Sequence, residues 1–297
     1  MKTVIIDYKN PSPKVDKLSL ILGYFDGVHL GHKYLIEEAR KYAKYPLAIL
    51  TFDKPVASLI ENGKNPNVLT SLDDRFKIIS KLGVDYYYLF KIDKDFLNLT
   101  DIDFIDILKK LNVKEVFVGE DFSFGKDRHG NPSTLSDFFA VHKVDLVNED
   151  GKKISSQDIK NLIELGKMDE AKKLLGRNYQ ITGSIITGKG IGRTIGFPTL
   201  NVKMNDEYVL PRFGVYKTIA YLDGAPHLAI TNVGVNPTVD AGNLPTIEVH
   251  LKEYDEKEYS TISVEFLEFV RDEKQFNSLE ELKEQINKDT KKVFGKY

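Results

Sequence analysis

The apolar residues of this chain change their period once, near residue 177. Before that point, short unbroken apolar runs alternate with stretches in which apolar residues recur every three or four positions. Leu18 to Leu22, Leu47 to Phe52, Val84 to Phe90 and Glu115 to Gly119 are the runs. Such runs fit strands buried on both faces. Between them, Leu35, Ile36, Ala39, Tyr42 and Ala43 mark one helix. Leu72, Phe76, Ile79 and Leu82 mark a second, opened by the Ser71/Asp74 capping box and closed by Gly83. A third runs from about Ile102 to Leu111. Strands alternating with helices predict a parallel open sheet. Tyr86-Tyr87-Tyr88 reads as strand packed on both faces. Ser155-Ser156-Gln157-Asp158-Ile159-Lys160 opens a further helix that Gly166 ends, and a short helix closes at Gly176.

Beyond Arg177 the pattern is that of successive strands with no helix among them: Tyr179 to Thr187, Val215 to Leu222, His227 to Val233, Thr246 to Lys252 and Thr261 to Val270. Asp223-Gly224 is a hairpin turn signal. Five such strands predict a closed antiparallel barrel. Ser278 and Glu281 cap a last helix whose Leu279, Leu282, Ile286 and Val293 form the stripe that packs on it. The chain therefore reads as α/β plus β, with domains at 1–176 and 177–297.

Composition narrows the partners. The 297 residues carry 42 basic and 44 acidic side chains, a net charge of −2, with no basic block for a nucleic-acid backbone. No cysteine is present, which removes disulfides and thiol catalysis. The opening Met-Lys-Thr-Val-Ile-Ile lacks the apolar core of a secretory signal, and no stretch reaches the length of a membrane span. The expectation is a cytoplasmic protein without nucleic-acid or membrane partners.

Six stretches carry candidate chemistry. In Leu22-Gly-Tyr-Phe-Asp-Gly-Val-His-Leu-Gly-His32, Gly23, Gly27 and Gly31 let backbone approach a ligand at a helix start. His29 and His32, three apart, can face one phosphate there. Capping and close packing are the alternative, and two histidines without cysteine fall short of a structural zinc site. Gly119 to Asn131 is a polar loop after a strand; its Phe122 and Phe124 either hold a planar ligand or fold back onto the core. Ser155, Ser156 and Lys160 bind phosphate at a helix start or simply cap it. In Gly188 to Asn201, four glycines expose backbone amides, and Thr199 and Asn201 offer oxygens to magnesium. Asn232, Pro237 and Thr238 are placed to line the same mouth. An inward carboxylate at Glu248, with His250 on its face, needs a partner or a catalytic task.

Taken in order, G-Y-F-D-G-V-H-L-G-H, G-E-D-F-S-F-G-K-D-R-H-G-N, G-I-G-R-T-I-G-F-P-T-L-N, T-N-V-G-V-N-P-T-V, I-E-V-H-L and F-V-R-D-E-K-Q-F-N-S-L-E-E-L resemble the bifunctional riboflavin kinase/FMN adenylyltransferase family over essentially the whole chain. The resemblance implies a Rossmann-like nucleotidyltransferase sheet followed by an antiparallel kinase barrel with a terminal helix. It also implies two magnesium-dependent reactions: riboflavin plus ATP to FMN, then FMN plus ATP to FAD and pyrophosphate. By motif position, His29 and His32 would stabilise adenylyl transfer, and Glu248 would take the proton of the ribityl hydroxyl. ATP and its phosphates would meet Gly23, Phe25, Asp26, Gly31, Ser155, Ser156 and Lys160 in the first domain, and Gly188, Gly190, Arg193 and Pro198 in the second. Thr199 and Asn201 would hold Mg2+. Flavin would lie against Asp121, Phe122 and Phe124 in one site, and against Asn232, Thr238 and Arg271 in the other.

Two positions depart from the family. Asp53-Lys54-Pro55 stands where the family commonly has Pro-His-Pro, and Ser155-Ser156-Gln157-Asp158-Ile159-Lys160 where it has S-S-T-x-I-R. Lysine keeps the charge of arginine without its fork. An enzyme with the kinase reaction alone, or a flavin sensor without catalysis, are the competing readings.

Overall fold

The computed structural model describes residues 1–60, 67–145, 151, 153–188, 191–235, 245–254 and 257–295, with backbone alone at Ile191 and Arg193. The chain divides into two compact units, Met1–Ser156 and Gln157–Tyr297.

The first unit runs β1 (Lys2–Ile6), β2 (Leu18–Leu22), α1 (Leu30–Tyr42), β3 (Leu47–Phe52), α2 (Ala57–Ile60), α3 (Leu72–Ser80), β4 (Tyr86–Phe90), α4 (Asp101–Lys110), β5 (Val113–Gly119), α5 (Pro132–Ser136) and β6 (Ala140–Val144). Its strands form one sheet in the order β1-β4-β3-β2-β5-β6, every pairing parallel. The apolar runs in the sequence become the central strands because both faces are covered. Leu20, Leu22 and Tyr88 enter one core cluster, while Ile21 and Tyr87 enter the other. The chain moves one way from β2 to β3 and returns to the other side at β5. That reversal opens a crevice at the carboxyl ends of β2 and β5. The stretch after β2 and the aromatic loop after β5 both emerge there.

Helix α6 (Ser156–Glu164) begins on the last residue of the first unit, and the rest of it opens the second with α7 (Met168–Leu175); Gly166 and Gly176 end the two helices in left-handed conformation at φ 75° and 66°. There follow β7 (Tyr179–Ile186), α8 (Ile191–Thr194), β8 (Leu200–Met204), β9 (Gly214–Leu222), β10 (Ala225–Val235), β11 (Pro245–Leu251), β12 (Thr261–Asp272) and α9 (Leu279–Phe294). The barrel closes as β10-β11-β8-β7-β12-β9. It has six strands where the sequence predicts five, because Leu200–Met204 leaves the glycine-rich stretch as a strand. Asp223 and Gly224, at φ 47° and 81°, make the expected tight hairpin turn between β9 and β10. The interior is filled: Ile181, Val202, Thr218, Thr231, Val249, Val264 and Phe266 are all buried there. Outside the wall, α9 lays Val293 against Val215 and Ile230.

Candidate active sites

In the first unit, the segment after β2 turns on three left-handed residues, Phe25 (φ 60°), Gly27 (φ 78°) and Val28 (φ 40°). For a phenylalanine and above all for a β-branched valine this is strained backbone, held only where the surroundings over-determine it. Five groups do so. Thr51 Oγ1 donates to Tyr24 O at 2.9 Å, and an Arg75 Nη1 donates to the same carbonyl. The Asp26 carboxylate accepts from Leu69 N at 2.8 Å and Thr70 N at 3.3 Å. Gly27 N donates to Thr70 Oγ1 at 3.0 Å, and Ser156 Oγ to Asp26 O at 3.0 Å.

The turn delivers His29 to the N-cap of α1. Its Nδ1 accepts from His32 N at 3.3 Å, so the ring proton resides on Nε2. The two imidazoles stack at 3.6 Å between centroids and 18° between planes. Phe25 meets His32 edge-on at 5.1 Å. Burial pushes the proton affinity of His32 well down, and the nearby His29, Arg75 and Lys153 push it the same way. The site thus offers neutral imidazole at the positive end of a helix, a donor set for charge that develops on a phosphate.

Other residues named from the sequence stand around this turn in different roles. Phe25 is 1% exposed and packs on Gly23, where a Cβ would lie 2.8 Å from its ring. Asp26 is buried with its carboxylate on the 69–70 backbone, and Gly31 is buried in the first turn of α1. Ser156 braces the turn rather than capping freely. Asp53 accepts from Ile92 N at 3.0 Å, which joins the ends of β3 and β4. In the loop after β5, Phe124 belongs to the core beside Phe104, and Phe122 is half-buried and stacked on it at 5.8 Å. Asp121 pairs with Lys153. Lys160 lies on α6 and belongs to the second unit.

In the second unit the candidate residues fall on one row across the barrel wall. The strand register pairs Arg271 with Val215, Val215 with Asn232, Asn232 with Glu248 and Glu248 with Asn201. Residues in such a row share a face. The face is the outer one: Ile247, Val249 and Leu251 are buried inside, so Glu248 and His250 between them point out. The sequence reading of an inward carboxylate is corrected on this ground, since the packed interior leaves no space for one.

The outer face becomes a site because α9 and the 192–199 segment cover it. Together they enclose a cavity of about 300 Å³, lined by Thr199, Asn232, Glu248, His250, Arg271 and Phe276 among others. His250 Nδ1 lies 2.9 Å from Pro198 O, pinning the segment that carries Thr199, and burial lowers the proton affinity of its ring. Its ring meets Phe197 edge-on at 5.4 Å. Arg271 is held from α9: Nε donates to both Asp289 oxygens at 3.1 and 3.0 Å, and Nη2 to Oδ2 at 2.7 Å. Gln285 donates to Asp289 Oδ1 at 2.9 Å. Arg271 Nη1 donates to Asp272 O at 2.8 Å, so of the five guanidinium hydrogens one on each terminal nitrogen is not used by these bonds. Gly188 lies against Asn201, where a Cβ would come within 2.0 Å of Nδ2. Gly190 and Thr238 lie outside the described residues, as does the Arg193 side chain.

Sequence reasoning missed Thr51, Thr70, Arg75, Asp289 and Gln285. None carries a local motif; Thr51, Thr70, Arg75 and Asp289 act through contacts across elements, and Gln285 acts on Asp289 one helical turn away.

A parallel sheet with paired imidazoles at its reversal, joined to a barrel with a carboxylate among neutral oxygen donors, defines a chain of two phosphate-chemistry modules. The family described as FAD synthetase matches residues 12–158, and that described as riboflavin kinase matches residues 175–294. The chain belongs to the bifunctional riboflavin kinase/FMN adenylyltransferase family. A relative of that name from Bacillus subtilis (strain 168) is 36% identical, covering 97% of this chain and 96% of its own. One from Escherichia coli (strain K12) is 35% identical, covering 91% and 90%. A crystal structure described as a macrolide-efflux protein from Streptococcus pneumoniae superposes with a TM-score of 0.89 at 30% identity, each chain covered in full. Among the described residues here, no helix is long and apolar enough to cross a membrane.

Proposed function

We propose that this chain makes FAD in two steps, with each unit housing one. The second unit phosphorylates riboflavin from ATP to give FMN; the first transfers AMP from a second ATP to FMN and releases pyrophosphate. The observation that carries the reading is the register row that sets Glu248 between Asn232 and Asn201 beside the Thr199 segment. A carboxylate so placed accepts the proton of the ribityl hydroxyl as that oxygen attacks the γ-phosphate. Arg271 and Phe276 offer charge and an aromatic face to the flavin. In the first unit, the His29 Nε2 proton is directed to the α-phosphate as a FMN phosphate oxygen attacks it. Ser155 is assigned to ATP phosphates, Asp121 and Phe122 to the flavin side, and a cytoplasmic location belongs to the same reading.

Magnesium suits Thr199 and Asn201, whose hydroxyl and amide oxygens are hard donors. Gly188 supports the assignment, because any side chain there would fill the space beside the Asn201 amide. When bound, the ion draws charge from the ATP phosphates; the chain's part is to hold the two donors and Glu248 in one register. Gly188→Ala is expected to displace the Asn201 amide and reduce FMN formation roughly 10²-fold, the scale of an ångström-level misplacement. Normal turnover with an intact circular dichroism spectrum would remove Asn201 from the site.

Asp289→Asn tests the flavin side. It leaves the Arg271 guanidinium without its buried counter-charge, and the KM for riboflavin is expected to rise roughly tenfold, about 1.4 kcal/mol. An unchanged KM would show that Arg271 does not serve the flavin. The reading as a whole is tested by incubating the protein with riboflavin, ATP and magnesium and separating the flavins. FMN with FAD is expected. FMN alone would leave a kinase only, and neither product would leave a binding protein.

A further inference from the structure

Arg75 on α3 is 1% exposed. Its Nη1 donates to Tyr24 O and to Thr51 Oγ1 at 3.1 Å, and its Nη2 to Phe52 O at 3.2 Å. The guanidinium lies 4.3 Å over the Tyr24 ring, and its Nε is buried without a hydrogen-bond partner. All three acceptors are neutral, and among the described residues no carboxylate pairs with it. A buried charge of this kind is costly; an apolar side chain of similar length would fill the space without that cost. What the arginine adds is location. It joins the strained turn after β2 to the end of β3, two adjoining strand ends.

We propose that Arg75 is a positioning residue of the adenylyl-transfer site, which fixes the Tyr24 carbonyl of the turn and places an uncompensated positive charge beneath the surface where phosphate binds. The inference rests on the adenylyltransferase reading of the first unit. One side chain has two effects. The bonds to Tyr24 and Phe52 set the direction in which the turn delivers His29 to α1. The charge lowers the cost of bringing phosphates onto that helix start, and it adds to the burial and the His29 neighbour that already disfavour a proton on His32.

The test uses the full chain with Arg75→Lys and Arg75→Met, and riboflavin kinase activity serves as the internal control, because Glu248 and its row belong to the other unit. FAD formation from FMN and ATP is followed alongside FMN formation and the proton titration of the His32 ring by NMR, assigned with His32→Gln. Arg75→Met is expected to cut the kcat for FAD about 10²-fold, to leave FMN formation within about twofold, and to raise the pH at which His32 titrates. Arg75→Lys keeps the charge but cannot span three acceptors, and should recover at least about tenfold of the lost rate and the wild-type His32 titration. The proposal is overturned if Arg75→Met makes FAD at the wild-type rate, or if the folded variants share one defect and leave His32 unmoved, which is a merely structural role. Should Arg75→Met fail to fold, Arg75→Lys decides alone: retained His32 titration with FAD formation above about a tenth supports it, and loss of either overturns it. A wild-type chain that makes FMN but no FAD would count against the adenylyltransferase reading, while the His32 titration would still report on the charge.

Discussion

Glu248→Gln is expected to lower FMN formation by roughly 10² or more while flavin binding persists, the scale of losing a positioned general base. Glutamine has the same shape and keeps β11 in register, so Asn232 and Asn201 stay on either side of it. His250, two residues along the same face, still holds the Pro198 carbonyl. The change therefore removes proton acceptance and little else. Riboflavin fluorescence titration beside steady-state kinetics separates the two quantities. If binding and turnover fall together, Glu248 orders the cavity instead of taking the proton.

The second large effect is at His29. Its Nδ1 caps α1, and in the proposed function its Nε2 has a second task at the phosphate. His29→Ala removes both and is expected to abolish detectable FAD formation, with about 1 kcal/mol of stability lost with the cap. His29→Asn separates them, because asparagine is among the best N-cap residues yet offers no imidazole. The thermal midpoint should return close to wild type while FAD formation stays at least about 10²-fold down, the cost of losing a donor to developing charge. FMN formation should be untouched in both. An asparagine variant that makes FAD normally would show His29 to be a cap and nothing more.

Most of both folds was legible because burial on two faces leaves a strong trace: β2, β3, β4 and β5 are the apolar runs themselves. The strands that went unread are β1, β6 and β8. β1 and β6 are the two edges of the sheet, where one side has no neighbour and little need for apolar residues; Ile5 is 59% exposed. β8 begins inside a stretch whose glycines signal a turn, and only Leu200 and Val202 face inward. The sites divide in the same manner. Glycine and histidine spacing marked the turn after β2, and the alternation around Glu248 marked a carboxylate. The face it occupies depended on what fills the barrel. The braces Thr70 and Arg75 stand 43 and 51 residues from their partners Gly27 and Tyr24, so no local pattern records them.

Arg271 reaches its row only because β12 slips its register against β9 twice, between Phe266 and Glu268 and between Phe269 and Arg271. Each bulge gives the strand one residue more than its partner and re-aims the side chains beyond it. The spacing between the buried wall and the cavity arginine is thus counted in whole residues. A one-residue deletion at Leu267 or Val270 would leave every functional side chain in the chain yet turn Arg271 away from Asp289. Strand β12 should consequently accept many exchanges of residue type in a mutational scan while rejecting nearly every change of length.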